Sequence, residues 1–264
     1  MLDFGRDICG HLASAEGREW LVTNGIGGYA MGTIANLPTR RYHGLLIAAL
    51  QPPVGRTLLL SKLDETAAYD GHSYPLCATR WAAREVAGSP QEPGGGQTVS
   101  PTGFQHLERF RLEGTTPVWT FACGDALLEK RVWMQQGANT TYVRYDLLRS
   151  SAPLALSAKA IVNFRDHHSN THAGDRHMRI EPVPQGLRVT RREGAESFYV
   201  LSDNAEAIPQ NEWYRDYFLS VEVYRGLDPL DDNLYAGLFS TKLQQGEMLT
   251  IIASTEERPS LDGA

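Results

Sequence analysis

The sequence predicts an all-β chain of antiparallel sheets, a sandwich or a barrel. Three observations carry this. Segments of four to eleven residues show an apolar side chain at every second position. Gly-containing turns separate many of them at hairpin distance, and no amphipathic helix of four turns is found. Alternation with a period of two describes a pleated strand with one face in a core. Gly in a short connection supplies the positive φ that a tight reversal needs. The 25 glycines and 14 prolines punctuate the chain into pieces of strand length.

Each element follows from local pattern. Leu45–Leu50 is an apolar strand. Phe104–Leu112, Val118–Cys123 and Ala126–Met134 form consecutive strands across Glu113–Pro117 and Gly124-Asp125. In the last of these, Leu128, Val132 and Met134 share a face, with Glu129 and Arg131 opposite. Thr141, Val143, Tyr145 and Leu147 repeat the period, and so do Leu154, Leu156, Ala158, Ala160, Val162 and Phe164. Hairpins are expected for Met178–Glu181 with Leu187–Thr190, Leu187–Arg191 with Ser197–Ser202, and Tyr235–Leu243 with Met248–Ser254. Strands joined in this way make antiparallel sheets. Two stretches read as short helix, Leu76–Ala87 and Ile208–Arg215, whereas Ala87–Thr102, with Gly94-Gly95-Gly96, reads as a mobile loop. The sandwich is expected over 1–255, with 256–264 a linker or domain boundary.

Composition excludes several functions. The 264 residues carry a net charge of −6 without a basic block, against nucleic acid as partner. The longest apolar run, Leu45–Leu50, is far below the ~18 residues that span a membrane, and the N-terminus lacks a signal peptide pattern. Cys9, Cys77 and Cys123 have no metal-type spacing and read as reduced, cytoplasmic thiols. Only four of the 25 basic residues are Lys: Lys62, Lys130, Lys159 and Lys242. Codon bias explains that skew, or a need for the planar, bidentate contacts of Arg.

Four stretches hold candidate functional residues. Gly25-x-Gly27-x-x-Ala30 fits a dinucleotide-binding pattern, but Pro38 follows too soon for a crossover helix and the next carboxylate is Asp64. A tight bend where backbones approach, or a sugar-binding loop with Asn24, remains. In Thr39–Gly44, residues Arg40, Arg41, Tyr42 and His43 suit a polar rim whose Arg forks and Tyr ring meet a sugar, or a turn pinned by Arg–carboxylate pairs. Asn163–His177 holds Asn163, Arg165, Asp166 and four histidines (His167, His168, His172 and His177). A polar binding loop or a solvated loop is favoured there over a metal site, because the i,i+4 spacing of His168 and His172 converges only on a helix. Trp213–Asp228, with Trp213, Tyr214, Asp216, Glu222 and Arg225, reads as an aromatic-rich strand through Phe218, Val221 and Val223. No nucleophile elbow is present. Asp166, Asp175, Asp216 and Glu222 are formal candidates for a carboxylate pair.

The segment Glu19–Ala30, continued by Thr39-Arg40-Arg41-Tyr42-His43-Gly44-Leu45-Leu46, resembles the opening of bacterial and archaeal glycogen debranching enzymes, the amylo-α-1,6-glucosidases. Phe164-Arg165-Asp166-x-His168 with His172, and Arg225-Gly226, agree with it. The resemblance implies an N-terminal β-supersandwich of galactose-mutarotase-like fold ahead of a helical (α/α) barrel that holds the catalytic carboxylates. It therefore implies no catalytic residue, metal or cofactor in this chain. The expected partners are an α-glucan (glycogen or a maltooligosaccharide) and the chain's own C-terminal barrel, with no nucleic acid and no membrane. Two rivals stand beside a glucan-binding domain. One is a mutarotase-like sugar epimerase using the histidine cluster with Glu222. The other is a scaffold that only docks the barrel.

Overall fold

A computed structural model describes residues 2–82, 97–173, 177–191 and 196–263. The chain opens with β1 (Asp3–Phe4), α1 (Arg6–Cys9), α2 (Leu12–Glu16), β2 (Glu19–Thr23), β3 (Tyr29–Thr33) and β4 (Gly44–Gln51). It continues through β5 (Val54–Tyr69), β6 (His72–Pro75), β7 (Ala78–Trp81) and β8 (Thr98–Thr102). After a 3-10 turn at Gly103–His106 come β9 (Leu107–Glu113), β10 (Thr116–Cys123), β11 (Ala126–Met134), β12 (Thr140–Arg149) and β13 (Leu154–Asp166). The last part holds β14 (Arg179–Val183), β15 (Gly186–Thr190), β16 (Ser197–Ser202), β17 (Glu206–Phe218), α3 (Ser220–Tyr224), β18 (Leu230–Leu243) and β19 (Met248–Ser254).

These strands form two antiparallel sheets. Sheet one runs β1-β9-β10-β11-β12-β19-β16-β15-β14, and sheet two β2-β3-β4-β5-β13-β18-β17-β7-β8, with β6 on β5. Strand makes up 61% of the chain against 7% helix, and one sheet curls into a half-barrel, so the all-β sandwich expectation holds. No helix among the described residues is long and apolar enough to cross a membrane.

Several local expectations are corrected. Within Leu76–Ala87, residues Ala78–Trp81 are a strand, and Thr98–Thr102 of the expected loop is the strand beside it. Residues 83–96, 174–176 and 192–195, which take in the Gly94-Gly95-Gly96 run and Asp175, lie outside the described residues. Ile208–Arg215 belongs to β17, while Val221 and Val223 belong to α3. The Tyr235–Leu243 and Met248–Ser254 strands turn at Gly246 but do not pair. The first joins β13 and β17 in sheet two, the second β12 and β16 in sheet one. The C-terminal segment turns back along sheet one. There Leu261 packs with Tyr142 and Trp133, and the Gly263 carbonyl accepts from Trp133 Nε1.

The core lies between the sheets. Leu128, Val132, Val143, Tyr145, Leu147, Leu156, Ala158 and Phe164 point into it, as their alternation requires. So does one ion pair: Lys130 of sheet one donates to Glu65 of sheet two, and Tyr145 donates to the same carboxylate oxygen at 2.8 Å. Both charged side chains are at most 3% exposed, and the ammonium lies 5.4 Å from the Trp119 ring centre. Removing one partner of such a pair leaves an uncompensated buried charge. Lys130→Met is therefore expected to lower stability by about 3–5 kcal/mol in urea unfolding. Glu65→Gln/Lys130→Met is expected to cost less, since a neutral amide still accepts from Tyr145; equal losses would show that charge is not what the pair supplies.

Candidate functional site

Two places collect the candidate residues. The first is a rim built from the β3–β4 loop, the segment after β13, and α3 with the residues that follow it. Glu222, on α3, is fully buried and is its hub. Its carboxylate accepts from the Arg41 backbone N–H at 2.9 Å, lies 3.3 Å from Arg41 Nε, and accepts from Arg225 at 3.2 Å. The Arg41 guanidinium donates to the His168 carbonyl at 2.6 Å, and Arg165 donates to the Arg41 carbonyl at 2.9 Å and to Asp231 at 3.1 Å. Burial raises the Asp231 carboxyl above its usual range despite the opposing Arg165 charge. Tyr42 is clamped on three sides. Its hydroxyl meets His168 Nδ1 at 3.0 Å, its ring meets His167 and His168 edge-on, and the Arg225 guanidinium lies 5.4 Å over its face. His172 and Asp228 pair at 3.2 Å, and the exposed Asp166 accepts from the His168 N–H.

The rim thus gathers Arg41, Tyr42, Arg165, Asp166, His168, His172 and Arg225. Arg40 and His43 lie beside it, both on Glu19. The turn is pinned by Arg–carboxylate pairs, as one expectation had it. Among the described residues no three His, Cys, Asp or Glu side chains converge to hold a metal ion.

Two candidates are placed differently. Asn24 is fully buried, and its Oδ1 accepts from the Ile26 and Gly28 N–H groups while its Nδ2 donates to Ala138 and Asn139. It fixes the glycine bend, with both amide atoms bonded within the protein. At Gly27 (φ 102°) a Cβ would lie 2.5 Å from the Pro53 carbonyl oxygen, so the glycines mark a close backbone approach. Asn163 is likewise fully buried, bonded to Asp232, Asn233, Phe164 and Thr171. Both amides satisfy backbone groups that irregular chain would otherwise leave unpaired.

The second place is a groove of about 800 Å³ on sheet two, bordered by Asp64, Trp81, Lys159, Glu212, Tyr214 and Asp216 among others. It shares no lining residue with the rim. Trp213 packs on the core and borders the groove. On β5 the core takes Leu63, Glu65 and Ala67, so Lys62, Asp64 and Thr66 face away from sheet one. Lys159 of β13 stands opposite Asp64 in the ladder. It donates to the Tyr214 hydroxyl at 2.8 Å and lies 5.3 and 5.2 Å from the Tyr214 and Tyr235 ring centres. Burial works against the Lys159 ammonium, but the Tyr214 hydrogen bond and the neighbouring charges outweigh it and raise its pKa. Trp81 is held by its indole N–H on the Ser100 carbonyl at 2.7 Å and by the Tyr217 ring at 4.8 Å.

Of this groove, residue patterns pointed only to Trp213, Tyr214 and Asp216. Asp64, Trp81, Lys159 and Glu212 were missed. The signal for Lys159 was present: it is the single charge at the outward positions of the Leu154–Phe164 alternation, in a chain with four lysines.

The fold and these two faces define a β-sandwich domain with a polar, aromatic groove and a self-paired polar rim. The family model described as "Glycogen debranching enzyme N terminal" matches residues 18–250. The chain belongs to that family. No curated protein matches it.

His43 has a definite protonation state in this arrangement. Its Nδ1 accepts from the Thr39 N–H at 3.0 Å, which leaves the proton on Nε2, 3.1 Å from Glu19. Burial, only partly offset by Glu19, holds its pKa below the usual 6.5. The unfolded chain therefore takes up the second ring proton at higher pH than the folded one. The stability that His43 contributes is complete above 6.5 and is lost as the pH falls below it. An NMR titration of its ring is expected to give a midpoint under 6.5; a higher midpoint would contradict the assignment.

Proposed function

We propose that this chain is the non-catalytic, α-glucan-holding N-terminal domain of a glycogen debranching enzyme. The whole enzyme would hydrolyse α-1,6-glucosidic branch points in glycogen or limit dextrin, with its catalytic carboxylates on a helical (α/α) barrel beside this sandwich. The observation that carries this reading is the family match over residues 18–250, a span that includes the rim and the groove. The sugar chemistry agrees with it. Aromatic faces suit the apolar faces of glucose rings, and mixed donors and acceptors suit hydroxyls. Three buried free thiols, Cys9, Cys77 and Cys123, support a reducing, cytoplasmic setting.

The epimerase alternative pairs the histidine cluster with Glu222 as its carboxylate base. Glu222 is fully buried and held by Arg41 and Arg225, which speaks against it in that role. The docking alternative has an observation in its favour. Tyr224 is 92% exposed beside the exposed Val223 and Leu227, an apolar patch of the kind that marks protein contacts. We propose this α3 corner as the contact with the barrel, alongside glucan binding rather than instead of it.

Native electrophoresis in gels containing glycogen tests the main reading. Retardation of the chain relative to a gel without polysaccharide is expected. Unchanged mobility would leave the domain a docking scaffold only.

A further inference from the structure

The charges of the rim are mutually paired, although Arg41 Nε, Arg165 Nε, Thr39 Oγ1 and Asn170 Oδ1 are buried there without a hydrogen-bond partner. Its arginines Arg41, Arg165 and Arg225 are each paired with a carboxylate. The groove differs. Among the described residues, the side chains of Glu212, Arg215 and Asp216 make no hydrogen bond or ion pair with the protein, and all three border the open space.

We infer that the groove on the outer face of sheet two is the subsite that holds the glucan, and that it takes a neutral, unphosphorylated oligosaccharide chain. The inference rests on the glucan-binding reading and narrows it to one place. Its volume of about 800 Å³ lies within the range of small-molecule sites, ~300–1,000 Å³. Two aromatic platforms stand in it in fixed orientations. Trp81 is anchored by the Ser100 carbonyl and Tyr217, and Tyr214 by Lys159 and the Tyr235 ring at 5.7 Å. Anchored rings lose little freedom when a sugar stacks on them.

The charges select the ligand class. Asp64, Glu212 and Asp216 are balanced by Lys62, Lys159 and Arg215, and Lys62 is already bound to Asp64 at 2.8 Å and to the Ala78 carbonyl at 2.7 Å. Among the described residues no excess of cations is left at the groove for a phosphate, which favours a neutral ligand over nucleotides and sugar phosphates. A hydroxyl both donates and accepts, so an alternation of carboxylates with ammonium and phenol groups matches a neutral sugar.

A further donor lies beneath the groove. The Tyr217 hydroxyl is buried without a hydrogen-bond partner in a residue 2% exposed, and its ring packs against the groove wall at Trp81. Burial pushes the Tyr217 phenol well above its ordinary pKa, and the charge of Asp64, which borders the groove, works in the same direction.

Calorimetric titration of the chain with maltohexaose, beside the glycogen gel, tests the inference. Trp81→Ala is expected to weaken maltohexaose binding at least tenfold, with Trp81→Phe falling between it and the wild type. Glu212→Gln changes an exposed side chain, so it reads the groove even if Trp81→Ala fails to fold; a three- to tenfold loss is expected at an unchanged melting temperature. If Arg225→Ala or Tyr42→Ala weakens binding while Trp81→Phe and Glu212→Gln do not, the sugar lies on the rim. The groove assignment is then overturned while the glucan-binding reading stands. If the wild-type chain binds neither maltohexaose nor glycogen, both are overturned.

Discussion

The buried pairing of Lys130 with Glu65 constrains the rest of the structure. It joins the two sheets through the buried interior, and Tyr145 adds a third group to the same carboxylate. Because side chains alternate along a strand, pointing Glu65 inward obliges Lys62, Asp64 and Thr66 to point outward. A slip of one residue in β5 would turn Lys62, Asp64 and Thr66 inward and Leu63, Glu65 and Ala67 outward, so the core would lose apolar contacts and Lys130 and Tyr145 their shared partner Glu65. The core pair therefore fixes which carboxylate reaches the groove, and the β5–β13 ladder places Lys159 opposite it.

The same economy of polar groups governs the rim. Glu222 binds a backbone N–H and two guanidinium groups, so one buried carboxylate ties the β3–β4 loop to α3. Arg165 extends the tie to β18 through Asp231. Irregular chain needs such partners, because its backbone groups have no ladder to satisfy them. The density of Arg, His and Asn in these segments is largely explained by that demand. In the groove, by contrast, the side chains of Glu212, Arg215 and Asp216 border open space.

Much of the fold was legible. Strands β11, β12 and β13 follow the alternation of their apolar residues, and the β9–β10–β11 and β14–β15–β16 meanders follow their turns. The failures have physical causes. In β17 two irregularities, around Pro209–Glu212 and Tyr214–Tyr217, break the period of two, and Asp216 takes a left-handed φ of 66°. The pattern that results resembles a short helix. Strand β7 has four residues, too few to display a period. The turn at Gly246 carries hairpin chemistry, but turn chemistry reports a reversal and not which sheet the next strand joins.

The candidate site was legible in part for a related reason. Rim residues cluster in sequence, so Arg41, Tyr42, His168 and Arg225 could be singled out. Amide side chains that pin turns, Asn24 and Asn163, look the same in sequence as those that bind ligands. The groove takes Asp64 and Thr66 from β5, Trp81 from β7, Thr98, Ser100 and Pro101 from β8, Lys159 from β13 and Glu212–Asp216 from β17, and only pairing registers bring these distant segments together. A crystal structure of the chain with bound maltohexaose tests the account most directly. It should place a glucose ring against Trp81 or Tyr214, with hydroxyls bonded to Asp64, Lys159 or Glu212. A sugar seated on Tyr42 and Arg225, with the groove free of it, would contradict the account.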